Sequence, residues 1–212
     1  MEIYKYKNYK EYKDNQIKGY SEKVNSHSWV DINSIGGLAE YIFNYNPEVS
    51  FGLCHGTRRG IEQQAFIDNF KIVNKEVKVI GTEIAEEASK RFPNTIEWDF
   101  HNVKDEWINN VDFIYSNSFD HSYDPEKCLS TWMSCLNNKG LCLIEWTTDD
   151  DNKSRPMDPF AASFEEYKEL FSSKYEVLDI LLNDPKGSEN TTYFDAGFKG
   201  LRYFFIIKNK NK

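Results

Sequence analysis

The 212-residue sequence lacks any apolar run approaching the roughly 20 residues that a membrane-spanning helix needs. Its start, MEIYKYKNYKEYKD, lacks the apolar core of a secretion signal. A cytoplasmic location with no membrane partner is the expectation. Cysteine is sparse: Cys54, Cys128, Cys135 and Cys142 form no CxxC pair and have no companion histidine at zinc-finger spacing. That argues against a structural zinc site and for buried thiols in a reducing compartment. Positive charge is also short, with 26 Lys and Arg against 34 Asp and Glu and a net charge of -8. Nucleic-acid binding draws its affinity from clustered cations, so a small-molecule or glycan acceptor is favoured over DNA or RNA. The chain has no internal repeat and no low-complexity segment.

What is present points to a folded core, since 40% of the residues are hydrophobic and 16% aromatic, in a length that suits one domain. Tyr9, Tyr12, Ile17 and Tyr20, then Ile35, Leu38, Ala39, Ile42 and Phe43, recur at helical spacing. They predict two helices in an N-terminal extension, residues 1–46. From Pro47 short apolar runs alternate with longer amphipathic ones, the pattern of βαβ units, and residues 47–212 read as a single domain.

Strands are predicted at 49–54, 77–81, 95–98, 111–115, 141–146, 175–182 and 201–208. Helices are predicted at 60–70, 85–92, 125–136 and 164–171, with a short helical turn at 105–109. The last two strands are joined by DPKGSENTTYFDAGFKG with no helix between, and such strands are most simply antiparallel. The expected fold class is α/β, a doubly wound, seven-stranded, mostly parallel sheet whose last strand is antiparallel. Pro156 and Pro159 mark a loop after the fifth strand that could close over a ligand.

Four motifs carry chemistry. FGLCHGTRRGIE runs from a strand through a Gly-bearing turn into a helix, which aims backbone N–H groups and the positive helix end at an anion. VIGTEI places Glu83 and Ile84 at the carboxyl end of the second strand, where an acid can accept hydrogen bonds from a ribose diol. IEWDFHN sets Asp99 between Trp98 and Phe100, residue types that bond an adenine amine and pack on its ring. DFIYSNSFDHSYDP delivers Ser116, Asn117, Ser118, Asp120 and His121 to the carboxyl end of a buried strand, where open α/β sheets bind ligands. Each also has a structural reading: a turn, a strand-end acid, a core tryptophan, and a His121 that caps the following helix or bonds a loop carbonyl.

The order GLCHGTRRG, VIGTE, EWDFHN and DFIYSNSFDHSYDPEKCLSTWMSCLNNKGLCLIEWT resembles the class I S-adenosylmethionine-dependent methyltransferases over about residues 47 to 207. Within them it is most similar to small methyltransferases of polysaccharide and viral glycan pathways. The resemblance implies S-adenosylmethionine as cofactor, with His55, Gly56 and Thr57 beside its methionine part. It implies Glu83 at the ribose, Asp99 and Phe100 at the adenine, and Asn117 and Ser118 along the cofactor. The sequence departs from the family's acid-x-Gly-x-Gly-x-Gly pattern at Cys54 and Arg58, and Arg58 is a candidate partner for the cofactor carboxylate.

Methyl transfer to a hydroxyl needs the acceptor held in line and its proton removed. His121, shortly past the end of the fourth predicted strand, is the expected base because an unperturbed imidazole titrates near neutrality, and Asp120 orients it or binds a sugar hydroxyl. His55 and His101 are reserves. Asp149, Asp150 and Asp151 could join Asp120 around a magnesium ion, yet read more simply as a solvated loop. Trp107, Trp146 and Tyr123 are available to stack on a sugar. Two other readings use the same motifs: a nicotinamide-dependent oxidoreductase, and a methyltransferase-like binding module without turnover.

Overall fold

The computed structural model describes residues 1–26, 29–148, 153–183 and 200–210. In chain order the elements are β1 (Glu2–Ile3), α1 (Tyr9–Lys23), α2 (Ile32–Tyr45), β2 (Phe51–His55), α3 (Ile61–Ile72), β3 (Lys78–Glu83) and α4 (Glu86–Arg91). They continue with β4 (Thr95–Glu97), β5 (Val111–Ser116), α5 (Pro125–Cys135), β6 (Leu136–Thr147), β7 (Phe160–Ala161), α6 (Phe164–Lys174), β8 (Glu176–Asn183) and β9 (Arg202–Lys208). Single 3-10 turns lie at Asp105–Trp107 and Phe119–His121.

Short polar side chains decide where helices start. The side chains of Asn8, Asp31 and Asp124 accept first-turn N–H groups of α1, α2 and α5, and Ser163 forms a capping box with Glu166 on α6. Pro125 takes the first position of α5, where a missing N–H costs nothing.

Seven strands form one sheet in the order β4-β3-β2-β5-β6-β9-β8. β4, β3, β2, β5 and β6 run parallel, and β9 lies antiparallel to both β6 and β8. This is the doubly wound sheet the sequence predicts. Strand alternation divides the core into two layers. Phe113, Tyr115, Leu141, Leu143, Phe204 and Ile206 pack under α2 and α3, while Ile114, Cys142, Ile144, Phe205 and Ile207 pack under α5 and α6. The four cysteines are free and buried in these layers.

Two details differ from expectation. β6 begins at Leu136 rather than 141, because Leu136 pairs with Val111 ahead of a register shift. The polar NNKG stretch reads as a turn, yet Asn137 bonds Asp112 and Lys139 N within the strand. The β1–β7 pair, Glu2 with Ala161 and Ile3 with Phe160, is too short to leave any periodicity. The connection predicted at 184–200 lies, but for Gly200, outside the described residues. Among the described residues no helix is long and apolar enough to cross a membrane.

α1 does not join either layer. It lies across the carboxyl ends of the strands, with Lys13 on Glu97, Tyr9 on Asp99 and Tyr12 on the carbonyl of His121.

The sheet is tight where β2 crosses β5, since a Cβ added at Gly52 would fall 2.1 Å from the Phe113 ring. Gly52→Ala is expected to destabilise the chain by about 1–3 kcal/mol through overpacking, read as a lower urea midpoint with an unchanged slope.

Candidate active site

Strand order reverses between β2 and β5, and the side chains after their carboxyl ends face one crevice. The turn leaving β2 uses left-handed backbone at Gly56 (φ 74), Arg58 (φ 44) and Gly60 (φ 72). Gly56 is required there on a second count: an added Cβ would lie 2.5 Å from the Cβ of Ser118. Ser118 Oγ donates to the Gly56 carbonyl at 3.2 Å, and the N–H groups of Gly56 and Thr57 donate to the carbonyl of Thr82. Arg58 N–H donates to Glu83 Oε2 at 3.1 Å, while Ile84 N–H donates to Glu83 Oε1 at 2.8 Å. Glu83 therefore staples the turn to β3. Burial raises its pKa in spite of those bonds.

Two cavities open into the crevice, one of about 230 Å³ and one of about 60 Å³. Gly56, Arg58, Ser118 and His121 border both. Glu83, Ile84, Asp99 and Phe100 line the smaller, and Thr57, Asn117 and Asp120 line the larger. The structure thus gathers eleven of the twelve sequence-selected residues at one place. His55 is apart: its ring is buried against Trp132 at 4.8 Å, its Nδ1 sits 2.8 Å from Thr82 Oγ1, and it borders neither cavity. Desolvation, reinforced by His101, lowers its pKa to about 3.

Asp99 is held from two sides. Its Oδ1 accepts from His101 N–H and lies 2.7 Å from His101 Nδ1, and its Oδ2 accepts from Tyr9. Burial alone would raise its pKa; the bonds and charge of His101 outweigh that and hold it low. His101 is buried and engaged with Asp99 and Ser122, so its side chain has no access to either cavity.

His121 borders both cavities. Gln16 of α1 donates through Nε2 to the Met157 carbonyl at 3.0 Å, which leaves its oxygen facing His121 Nδ1 at 2.8 Å. An amide oxygen only accepts, so Nδ1 carries the proton and neutral His121 presents the Nε2 lone pair. Asp158 Oδ1 lies 3.5 Å from that nitrogen. Burial depresses the pKa of His121, and Asp158 opposes the shift only in part.

Asp120, His121 and Asp158 bring ligand-type atoms within 4.8 Å of one another. Asp158 already faces cations, however, with Arg155 Nε at 2.7 Å and Lys23 Nζ at 3.8 Å. The charge a divalent ion would supply is largely provided by side chains. Asp149, Asp150 and Asp151 lie outside the described residues.

The site includes residues that the motifs did not single out. Asp158 sits inside the Pro156–Pro159 loop, where the prolines were a signal but the acid was not. Glu62 and Glu145, buried at 7% and 6% exposure, border the larger cavity. Glu145 accepts from Tyr115 at 2.9 Å and pairs with Arg202. Of the aromatic residues considered for stacking, Trp146 borders the larger cavity. Trp107 is core, and Tyr123 packs on Tyr12 and His101.

The chain has four histidines, so nitrogen NMR can follow each ring. His121 is expected as the Nδ1–H tautomer, reverting towards Nε2–H in Gln16→Leu. His55 is expected to stay neutral down to about pH 3. An unfolded histidine protonates near 6.5, so the unfolded state binds the extra proton between those values. Stability should fall as pH drops from about 6.5 towards 3, by up to about 1.4 kcal/mol per unit from this group. An acid-unfolding midpoint unmoved in His55→Asn would contradict that assignment.

No protein-family model and no curated protein matches the sequence. Solved structures do. A 1,6-didemethyltoxoflavin-N1-methyltransferase of Burkholderia thailandensis, with 1,6-didemethyltoxoflavin and S-adenosylhomocysteine bound, matches with a TM-score of 0.64 at 13% identity. The match covers 94% of this chain and 88% of that one. The plantazolicin methyltransferase BpumL, in complex with a triazolic desmethylPZN analogue and S-adenosylhomocysteine, matches with a TM-score of 0.64 at 15% identity, over 95% of this chain and 98% of that one. The [4+2]-cyclase SpnF matches with a TM-score of 0.58 at 8% identity, over 92% and 93%. At such identities the likeness establishes the architecture, and the chain has the Rossmann-like methyltransferase fold with its antiparallel final strand.

Proposed function

We propose that the chain is a cytoplasmic S-adenosylmethionine-dependent methyltransferase that methylates a hydroxyl of a small polar acceptor, with a sugar or glycan hydroxyl favoured. The observation that carries this reading is the convergence of a Gly turn, the acid ending β3 and the acid following β4 on one crevice at the β2/β5 reversal. Two of the solved structures of this fold hold S-adenosylhomocysteine, which supports the choice of cofactor.

The donor set fits an S-adenosyl group. A carboxylate offers about four acceptor positions, and Glu83 accepts from Arg58, Ile84 and, at 3.4 Å, Ala85. One position is left for a ribose hydroxyl. Tyr20 presents a buried hydroxyl with no hydrogen-bond partner among the described residues, in the wall of the same cavity. Asp99, Phe100 and Ile84 would hold the base, and Gly56, Thr57, Arg58, Asn117 and Ser118 would follow the rest of the cofactor. His55 would act through its backbone carbonyl, which accepts from Ser116. The bound cofactor supplies an electrophilic methyl group on sulfur.

His121 is the base in this reading. Its lowered pKa keeps it neutral near pH 7, with Nε2 free to take the hydroxyl proton as the oxygen bonds the methyl carbon. Asp158 then stabilises the imidazolium, and Asp120 is placed to bond a neighbouring acceptor hydroxyl. Trp146 would stack on the acceptor. Residues 1–46 would act with 47–212 as one unit, α1 serving as the outer wall of the crevice. The likeness to a protein named as a cyclase favours, as second reading, a module that holds the cofactor without transferring methyl.

Calorimetry with S-adenosylhomocysteine should give micromolar binding, and NAD none. Binding of NAD instead, or of neither, would overturn the reading. Glu83→Ala should weaken S-adenosylhomocysteine about 5- to 30-fold, since each lost hydrogen bond is worth about 1 kcal/mol. His121→Ala should lower turnover roughly 10²- to 10⁴-fold with cofactor affinity nearly intact. Equal turnover would remove His121 as base, and no turnover by the unaltered chain with any sugar acceptor would favour the second reading.

A further inference from the structure

Glu62 is a buried acid in need of a cation. It sits in the first turn of α3, 7% exposed, on the wall of the larger cavity. Glu145 is met by Arg202 in a direct ion pair; Glu62 makes no such direct pair among the described residues, and the Arg58 guanidinium acts on it through its charge, opposing part of the effect of burial. Its partners are its own backbone N–H and Thr57.

The Thr57 hydroxyl exposes a shortage of protons. Thr57 Oγ1 lies 2.9 Å from Glu62 Oε2 and 2.5 Å from Gln63 Oε1. Gln63 cannot turn its amide round, because its Nε2 donates to Thr95 Oγ1 at 2.8 Å and to the Pro93 carbonyl. A hydroxyl has one proton for these two acceptors. If it goes to Gln63, Glu62 Oε2 faces an oxygen lone pair; if it goes to Glu62, the Gln63 oxygen does. The junction balances when Glu62 itself holds a proton and donates it to Thr57, or when a cation in the cavity takes the proton's place.

The cavity geometry names the cation. Glu62 opens on the larger cavity and Glu83 on the smaller, and Gly56, Arg58, Ser118 and His121 border both. A ligand whose diol reaches Glu83 and whose tail runs past Gly56 ends beside Glu62, with Arg58 and Arg59 in the same wall. An amino-acid tail offers those groups an ammonium for the acid and a carboxylate for the guanidinium groups.

We infer that Glu62 forms an ammonium subsite, binding the α-amino group at the amino-acid end of an S-adenosyl ligand. The inference rests on the cofactor reading proposed above. Burial pushes the Glu62 pKa up to about 7, so at neutral pH a good fraction of the chains carry the proton, and an arriving ammonium displaces it.

The test is calorimetry at pH 7 in two buffers of different ionisation enthalpy. The ligands are S-adenosylhomocysteine and 5′-methylthioadenosine, which keeps the nucleoside and lacks the amino-acid end. The unaltered chain is expected to release about half a proton on binding S-adenosylhomocysteine and less on binding 5′-methylthioadenosine. Glu62→Gln should abolish that difference, weaken S-adenosylhomocysteine about 10- to 100-fold, as suits a lost bond to a charged group, and leave 5′-methylthioadenosine within twofold. Equal loss of both ligands would mark Glu62 as structural and overturn the inference. So would unchanged S-adenosylhomocysteine affinity in Glu62→Gln, or binding by the unaltered chain with no proton release. Failure of the unaltered chain to bind either ligand would instead overturn the cofactor reading itself.

Discussion

The reversal of strand order between β2 and β5 is the constraint from which the rest of the site follows. Parallel strands connected by right-handed crossovers send their helices to one face or the other. Where the order turns, the helix after β2 and the chain after β5 leave in opposite directions and open a gap at the carboxyl ends. Backbone from two strands must then pass at close range. Gly56 and Ser118 make that passage, with no room for a Cβ between them, and the side chain of Glu83 fixes the turn by bonding Arg58 N–H. An arginine in left-handed backbone at 58 carries a steric cost that a glycine would avoid. The Glu83 bond to its N–H offsets that cost in part.

The second determinant is the wall that closes the crevice. Residues 2–23 and residues 154–162 are separated by more than 130 positions, yet they meet repeatedly: β1 on β7, Tyr6 on the Pro156 carbonyl, Gln16 on Met157, Lys23 near Asp158. A ring cluster of Tyr6, Tyr9, Tyr12, Tyr123 and His101 adds packing that is directional and hard to shear. The smaller cavity is walled by α1, and the larger one by Arg155, Asp158 and Phe160. Gln16 of α1 and Asp158 of the other segment both reach His121, which borders both cavities.

The fold was legible because its signals are local. Seven strands announce themselves as short apolar runs with helical patterns between them, and the helix caps at Asp31, Asp124 and Ser163 are readable one turn at a time. The strand-end positions of Glu83, Asp99, Asn117 and Asp120 follow from the same register. Histidine roles were not legible, since they depend on contacts across the chain. His55 sits in the Gly turn beside Gly56, but alternation along β2 points its ring into the layer under α5, against Trp132. His121 has its ring fixed by Gln16 and Asp158, 105 residues upstream and 37 residues downstream, so its neighbour Asp120 drew attention that belongs to Asp158. The N-terminal helices read as amphipathic segments, and nothing in their spacing says that α1 lies over the strand ends while α2 joins a core layer.

An acidic chain must settle the charges that its crevice buries. Four carboxylates border the larger cavity, and each has a different answer to burial. Glu145 is neutralised by Arg202 and by the Tyr115 hydroxyl. Asp158 is held low because His121, Lys23 and Arg155 outweigh the penalty of burial. Asp120 keeps company with His121 at the mouth. Burial pushes the pKa of the Glu62 carboxyl up to about 7, with the Thr57 hydroxyl and the Arg58 charge opposing it in part. On the ammonium subsite proposed for Glu62, an arriving ammonium would displace the proton of that carboxyl, and the ligand's charge would be met by a group already in place.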